Sequence, residues 1–315
     1  MTAESNQTKR EINSGAEKWL GVPIPILDQG SVMLINYMGS DDSIADAART
    51  SYQTGTRKIT NSRGLIRNLM RNDHTSPFEM AELTFRLEMP LYVLAQLSRH
   101  RTAKFVNENH ESGRYSILEH KFYIPEAKDI GIQSKKNKQG RGEAVNMEVA
   151  EEFRSWSIGL SEISYAQYEH FLNDDGTGHP EDPNKPMIAR ELARMGLPQN
   201  LYTKLVWKCD LHNLLHFLQL RIAPDAQMEI RAYANKMAEI VNDSFPLCWE
   251  AFNDYRLNAI RLSSPEQNII SGVLKKRGIV VTEAEILEAL DKKEIKSVDE
   301  REGLVTKFRD LGLID

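Results

Sequence analysis

The sequence predicts an α+β fold, and three observations carry that prediction. Residues 81–89 alternate apolar Leu83, Phe85, Leu87 and Met89 with polar neighbours, and residues 201–209 do the same with Leu201, Thr203, Leu205 and Trp207. That period of two belongs to half-buried strands. Around them run stretches whose apolar residues fall on one helical face, among them Leu65, Ile66, Leu69 and Met70 and the whole of 147–172. The last fifty or so residues carry helix-start signals and no strand pattern.

In chain order, residues 1 to about 22 are polar and read as a mobile arm before a first strand at Val32–Ile35. A helix is expected over Asp41–Ser51, a loop over 52–63, and a helix over 64–72 that ends at His74–Pro77. The strand at 81–89 runs into Pro90, whose missing N–H costs nothing in a first helical turn. A helix is therefore expected through LYVLAQLSRHR, with Leu91, Leu94 and Leu97 inward and Gln96, Arg99 and His100 near its C-terminal end.

Residues 125–145, rich in Gly, Lys and Gln, read as a long loop with a basic cluster of Lys135, Lys136, Lys138 and Arg141. Such a cluster suits either solvent or a polyanion. A helix over 147–172, a loop over 173–186, a helix over 187–196 and the strand at 201–209 follow. Asp210 is placed to cap a helix over 211–221, and one further helix spans about 225–258. The tail holds three helix starts: Ser264 with Pro265, Thr282 with Glu285, and Ser297 with Glu300, the last two at capping-box spacing.

At 315 residues, with 41% hydrophobic and 27% charged side chains, the chain can fill a large core and is neither disordered nor membrane-spanning in composition. Forty basic residues against 45 acidic leave a net charge of −5, so the surface as a whole is not built for nucleic acid, although a local basic pocket remains compatible. Two cysteines, Cys209 and Cys248, are too few for a disulfide framework. With an N-terminus lacking an apolar signal segment, they suit a cytoplasmic protein without a membrane anchor. Cys209, beside Trp207 in a strand-like run, reads as a buried thiol rather than a nucleophile. His212 and His216 share a helix face at zinc-ligand spacing, but no HExxH pattern or Cys pair completes a site, so no metal is expected.

The densest run of reactive side chains is Arg99–Tyr115, RHRTAKFVNENHESGRY. Its arginines offer planar forks for phosphate or carboxylate, and Ser112 and Gly113 offer a hydroxyl and close-approach backbone N–H groups. A solvated charged loop has the same composition, so order and spacing must decide. The run resembles the motif of flavin-dependent thymidylate synthases: RHR, two variable residues, Ser, one variable, Asn-Glu, one variable, Ser, one variable, Arg-Tyr. Arg99, His100, Arg101, Asn107, Glu108, Ser112, Arg114 and Tyr115 supply its fixed letters. HTSPFE at 74–79, YSILEHKFYIP at 115–125, ARELARMGLPQNLYT at 189–203 and DLHNLLHFLQLR at 210–221 are similar to family segments in the same order, over about residues 24–258.

The resemblance implies the family's mixed sheet with flanking helices in a catalytic domain over 24–260, between an N-terminal arm (1–23) and a helical C-terminal extension (261–315). It implies reductive methylation of dUMP at C5 to dTMP, with FAD carrying electrons from NADPH and 5,10-methylenetetrahydrofolate donating the carbon. It also implies a homotetramer whose sites are shared between subunits. No Gly-x-Gly-x-x-Gly turn supports a Rossmann-type flavin site.

By residue, the resemblance assigns Arg99, His100 and Arg101 to FAD, with Arg99 also near the nucleotide, and Ser76 and Glu79 to the flavin side. Gln96, Ser112, Gly113, Arg114 and Arg194 would hold dUMP. Arg221 would face the uracil and favour its N3-ionised form as the catalytic residue. Asp210, His212 and His216 match the helix start that touches flavin, which does not exclude a capping role for Asp210.

This chain also departs from the family. Arg99–Tyr115 spans 17 residues, three more than the family spacing, with Lys104 or Phe105 near where the first motif Ser belongs. The motif acid, a contact to nucleotide and cofactor, is then Glu108 by order or Glu111 by proximity to Ser112. After Arg221 the family continues Ala-Asp-x-His-Ala-Gln, whereas here Ile222, Ala223, Pro224 and Asp225 precede Ala226 and Gln227. These changes leave open a relative acting on UMP, another C5 product such as hydroxymethylation, or a catalytically silent nucleotide-binding module.

Overall fold

Residues 11–51, 61–101, 107–135 and 138–314 are described by the structure, a computed structural model. The expectations for residues 1–10, for most of the 52–63 loop and for Lys104, Phe105 and Lys136 lie outside these residues. Helices are α1 (Ser14–Glu17), α2 (Asp41–Arg49), α3 (Ser62–Arg71), α4 (Leu91–Leu97), α5 (Met147–Leu172), α6 (Arg190–Ala193), α7 (Leu211–Arg221), α8 (Met228–Ser244), α9 (Pro246–Phe252), α10 (Ser264–Lys276), α11 (Glu283–Lys292) and α12 (Val298–Asp310). Strands are β1 (Ile24–Ile26), β2 (Gly30–Met38), β3 (Glu82–Pro90), β4 (Glu108–His110), β5 (Gly131–Gln133), β6 (Arg141–Ala144) and β7 (Tyr202–Asp210). The chain divides into two compact units, Met1–Met38 with Ala81–Ser244 and Gly39–Met80 with Phe245–Asp315.

The first unit is built on a five-stranded sheet in the order β1-β2-β3-β7-β4. Its ladders are all antiparallel, and the one parallel pairing among the described residues is the isolated bridge Leu20–Leu34. Alternation decides which face is buried: Leu83 opposes Cys209, Phe85 opposes Trp207 and Leu87 opposes Leu205, all within the core. On the other face Lys208 pairs with Glu82 at 3.1 Å and Lys121 with Glu88 at 2.7 Å. Helices α7 and α8 contribute Leu214, Phe217, Leu218, Ile230, Tyr233 and Met237 to the same core. A second cluster joins Tyr165, Tyr168 and Leu172 of α5 to Phe122, Ala193 and Leu201.

Several elements differ from the sequence expectation, each for a local reason. Residues 11–23 dock rather than remaining an unattached arm. Asn13 accepts from the backbone of Gly15 and Ala16, and its amide donates to Ser244 O at 2.7 Å. A Cβ on Gly15 would collide with the Asp243 backbone, so the close approach depends on small residues that carry no apolar periodicity. The 125–145 loop contains the β5–β6 hairpin, whose exposed strands show no alternation. The helix expected over 187–196 shortens to α6 and a 3₁₀ turn over Arg194–Gly196. The single helix expected over 225–258 is interrupted at Phe245, because Pro246 cannot donate within a continuous helix and instead opens α9. Among the described residues no helix is long and apolar enough to cross a membrane.

In the second unit, Asp41 Oδ2 and Oδ1 accept from the Leu247 and Cys248 N–H groups at 2.8 and 3.0 Å, tying α2 to the start of α9. Burial pushes both the Asp41 carboxyl and the Cys248 thiol up. The apolar face of α3 is buried as its spacing predicts, but Arg67, 4% exposed, lies within that face. Its guanidinium meets Glu300, 2% exposed, in a fork of bonds at 2.8–3.1 Å, and also Glu250 and Asp254 at 2.7 Å. Burial raises the Glu300 carboxyl, but its bonds to Arg67 and Tyr255 hold it below its ordinary value. Thr282 and Glu285 form the expected capping box, whereas at Ser297 the side chain makes no capping bond and the Glu300 carboxylate, which would complete the box on the Ser297 N–H, is engaged with Arg67. The helix expected to start at Ser264 is capped one residue earlier, where Glu266 accepts from the Ser263 N–H at 2.7 Å.

A buried charge that loses its partner costs more than the pair contributes. Arg67→Met is expected to destabilise the protein by about 3–5 kcal/mol in denaturant unfolding, and the double change Arg67→Met with Glu300→Leu by clearly less. Equal losses in the two variants would show that the pair is not the source.

Candidate active site

Two helices leave the central ladder and meet. Pro90, at the N-cap with φ −62° and ψ 145°, turns β3 into α4, and the turn continues past Leu97 through His100 N to Leu97 O at 3.0 Å. This places Gln96, Arg99 and His100 at the helix end, as their spacing predicts. At the end of β7, Asp210 Oδ1 accepts from Asn213 N at 2.9 Å, and the Asn213 amide donates to both carboxylate oxygens at 3.0 and 2.8 Å. Asp210 is thus the N-cap of α7; His212 and His216 lie half-buried along that helix and Arg221 is its last residue.

His100 is 5% exposed and packs edge-on against Phe217, ring centroids 5.0 Å apart; Phe217 in turn packs edge-on against Trp207 at 5.4 Å. Arg221 Nε donates to His100 Nε2 at 2.7 Å. An arginine cannot accept, so Nε2 carries the lone pair and the imidazole is neutral with its proton on Nδ1. Burial, with the positive Arg221 and then His216 nearby, pushes the ring down to about 4. The bond orients the guanidinium through one nitrogen and leaves both terminal NH₂ groups of Arg221 without a hydrogen-bond partner among the described residues, with Asp225 acting on the cation only through its charge. Burial lowers the Arg221 pKa, but the group stays a cation at neutral pH.

The second half of the motif is held elsewhere in the same unit. Glu108 sits in β4 opposite Trp207, with its carboxylate against the His110 ring, while Glu111 fixes its backbone N–H on Lys204 O at 2.8 Å. The Glu111 carboxylate forms no ion pair with a described residue. A turn follows, in which Ser112 Oγ accepts from Arg114 N at 3.3 Å and Ser112 O accepts from Tyr115 N at 3.0 Å. A Cβ at Gly113 would lie 2.9 Å from Leu118 Cδ1 and 3.2 Å from Arg194 Cδ, so glycine lets this turn close onto the Arg194 stem. Arg114 pairs with Glu191 at 3.2 Å, and Arg190 donates to Tyr115 O at 2.7 Å and to Asp174 at 2.8 Å.

The structure therefore groups Gln96, Arg99, His100, Arg101, His216 and Arg221 around the two helix ends, and Ser112, Gly113, Arg114 and Arg194 around the 112–116 turn. The side chains of Arg99, Arg101 and Arg194 are exposed and form no ion pair with a described residue. Ser76 and Glu79 belong to the second unit, where Ser76 O accepts from Glu79 N at 3.2 Å and Thr75 donates to the Glu79 carboxylate at 3.3 Å. Sequence reasoning missed Phe217, which reads as ordinary core, and Arg190, the brace of the 112–116 turn. Neither carries a motif signal.

The His100 ring gives the protein a specific acid sensitivity. Its folded value near 4 lies below the ordinary 6.5, so between those values the unfolded chain binds a proton that the folded chain refuses. This contribution to stability is whole above pH 6.5 and falls by roughly 3 kcal/mol as the pH drops to about 4. His100→Gln keeps an acceptor for Arg221 without the titration, so its unfolding free energy is expected to lose less than wild type over that range. Parallel pH profiles would contradict the assignment.

Residues 33–247 match the family model described as thymidylate synthase complementing protein. The chain is 46% identical over 262 residues to a flavin-dependent thymidylate synthase of Ruegeria pomeroyi, covering 83% of each chain. It is 45% identical over 270 residues to one of Rickettsia conorii, covering 85% of this chain and 91% of that one. Among solved structures it is similar to the UMP/dUMP methylase PolB of Streptomyces cacaoi bound with 5-Br UMP, with a TM-score of 0.62 and 31% identity over 74% of this chain and 98% of that one. The family match, these relatives and the motif residues around His100 and Arg221 lead to one conclusion: the chain belongs to the flavin-dependent thymidylate synthases.

Proposed function

We propose that the protein methylates dUMP at C5 to give dTMP, using FAD, NADPH and 5,10-methylenetetrahydrofolate. The observation that carries this reading is Arg221: His100 holds its plane while both terminal NH₂ groups stay available to an anionic acceptor. Such a fork stabilises charge developing on a pyrimidine, and its position is set before the ligand arrives. The neutral His100 adds no charge at that point and serves as the acceptor that orients the guanidinium.

Exposed Arg99, Arg101 and Arg194, without ion pairs to described residues, suit the phosphates of a nucleotide and of a flavin dinucleotide. Gln96, Ser112, Gly113 and Arg114 are the further nucleotide contacts of this reading, with either Glu108 or Glu111 as the acid. Asp210, His212 and His216 of the first unit, and Ser76 and Glu79 of the second, are the flavin contacts of this reading by family resemblance. A bound flavin supplies the two electrons that take the transferred carbon from the methylene to the methyl level. The chain's own residues bind, orient and stabilise charge.

Assembly belongs to the same reading. On α5, Val149, Phe153, Trp156, Leu160 and Ile163 recur at intervals of four and three and are all exposed, Trp156 by 66%. That is the spacing of a helix-pairing seam. The proposed partner is a further copy of this chain in a cytoplasmic homotetramer, which would bring Ser112–Arg114 and Arg194 of one subunit to Arg221 of another. A second substrate reading, UMP, is favoured by PolB being a UMP/dUMP methylase.

Two experiments test these statements. Purified protein is expected to take up FAD and be bleached by NADPH; reduced enzyme with methylenetetrahydrofolate is then offered dUMP or UMP and the products are weighed. Arg221→Ala should bind flavin and lose at least about a hundredfold in turnover. Undiminished turnover in that variant, or no flavin uptake by the wild type, would remove the mechanism. For the seam, Trp156→Glu should give a smaller species by light scattering, with native far-UV circular dichroism and depressed turnover; an unchanged assembly would exclude α5 from the interface.

A further inference from the structure

Gln96 is one end of a polar chain that runs into the interior. Its Nε2 donates to Gln227 Oε1, and Gln227 Nε2 donates to Glu229 Oε2 at 2.8 Å. Glu229 is 1% exposed; its other oxygen accepts from Tyr123 OH at 3.2 Å and from Arg141 Nη2 on β6. Arg141 is itself braced by donating to Asp129 O at 2.8 Å. Burial pushes the Glu229 carboxyl up, but its bonds to Arg141 and Gln227 hold it below its ordinary value, so it is ionised.

An ionised carboxylate only accepts, and an amide has one donating and one accepting end. Glu229 therefore compels Gln227 to turn its NH₂ inward and its carbonyl outward. That carbonyl in turn compels Gln96 to spend its NH₂ on Gln227. Neither amide can flip without setting two acceptors or two donors against each other in a half-buried place, so the polarity imposed at Arg141 and Glu229 reaches Gln96.

We propose that Arg141 and Glu229 are positioning residues that act through Gln227 to present the carbonyl oxygen of Gln96 to the nucleotide, so that the site recognises a hydrogen-bond donor there. The proposal rests on the reading of Gln96 as a nucleotide contact. A pyrimidine deoxynucleotide such as dUMP offers two such donors: the 3′-hydroxyl and, in the neutral base that binds before Arg221 draws it toward the N3-ionised form, the N3–H. Arg141 lies on the β5–β6 hairpin, so a segment that reads as an unstructured basic loop would help to set substrate recognition.

The test is equilibrium binding of dUMP, N3-methyl-dUMP and 2′,3′-dideoxyuridine monophosphate to wild type, Glu229→Gln and Gln227→Met. In the wild type, the analogue lacking the recognised donor should bind about tenfold more weakly than dUMP, and its identity names the donor. In Glu229→Gln the amide at 229 can donate or accept, both glutamines can turn, and the penalty should shrink to about twofold or less. Gln227→Met keeps the Arg141–Glu229 pair and should give the same collapse, which covers the case in which Glu229→Gln does not fold. A general loss of structure would weaken all three ligands alike and leave the ratios unchanged. Unchanged ratios in the folded variants, or equal binding of all three ligands to wild type, would overturn the relay alone. No binding of dUMP to wild type would overturn the relay together with the nucleotide reading.

Discussion

The register between β3 and β7 is the constraint on which the site depends. Pro90 opposes Tyr202 and Glu82 opposes Asp210, so the two strands end at opposite ends of one ladder. Each end launches a helix, α4 from Pro90 and α7 from Asp210, and each helix rises about 1.5 Å per residue. Their C-terminal ends meet where His100 accepts from Arg221. A slip of one residue in this ladder would put Phe85 and Trp207 on opposite faces, and if Trp207 is the one turned out, the ring that supports Phe217 and His100 goes with it.

The arginines fall into two populations that net charge does not distinguish. Arg67, Arg141 and Arg190 are bonded to carboxylates and carbonyls, and they hold segments together. Among the described residues, Arg99, Arg101 and Arg194 have exposed side chains without such partners, and Arg221 hydrogen-bonds through one nitrogen of three. A net charge of −5 is thus compatible with exposed cationic groups that are not neutralised by a described ion pair.

How much was legible in the sequence follows from what each feature depends on. The β3 and β7 strands, the α3 face and the Asp210 cap rest on local patterns of two to four residues, and the structure has them where those patterns put them. The docked segment at Asn13–Glu17 rests on small residues, and the β5–β6 hairpin on exposed polar ones, so neither has a periodic signature. The motif letters named His100 and Arg221, but the bond between them spans 121 positions and has no local trace. Ser297 and Glu300 show the opposite case, in which the local pattern is present and a distant buried cation takes the carboxylate away.

The borders of the sheet have a consequence for how copies of the chain can associate. One border is β1, three residues with Pro25 at their centre and Pro23 before them; the other is β4, three residues carrying Glu108 and His110. Proline removes a ladder donor, and short charged borders offer little to an incoming strand. Extension of the sheet from one molecule into the next is thereby discouraged at both margins. The homotetramer proposed above would then form through side-chain surfaces on helices, which can close into a discrete assembly, whereas strand addition at a sheet border can continue without limit.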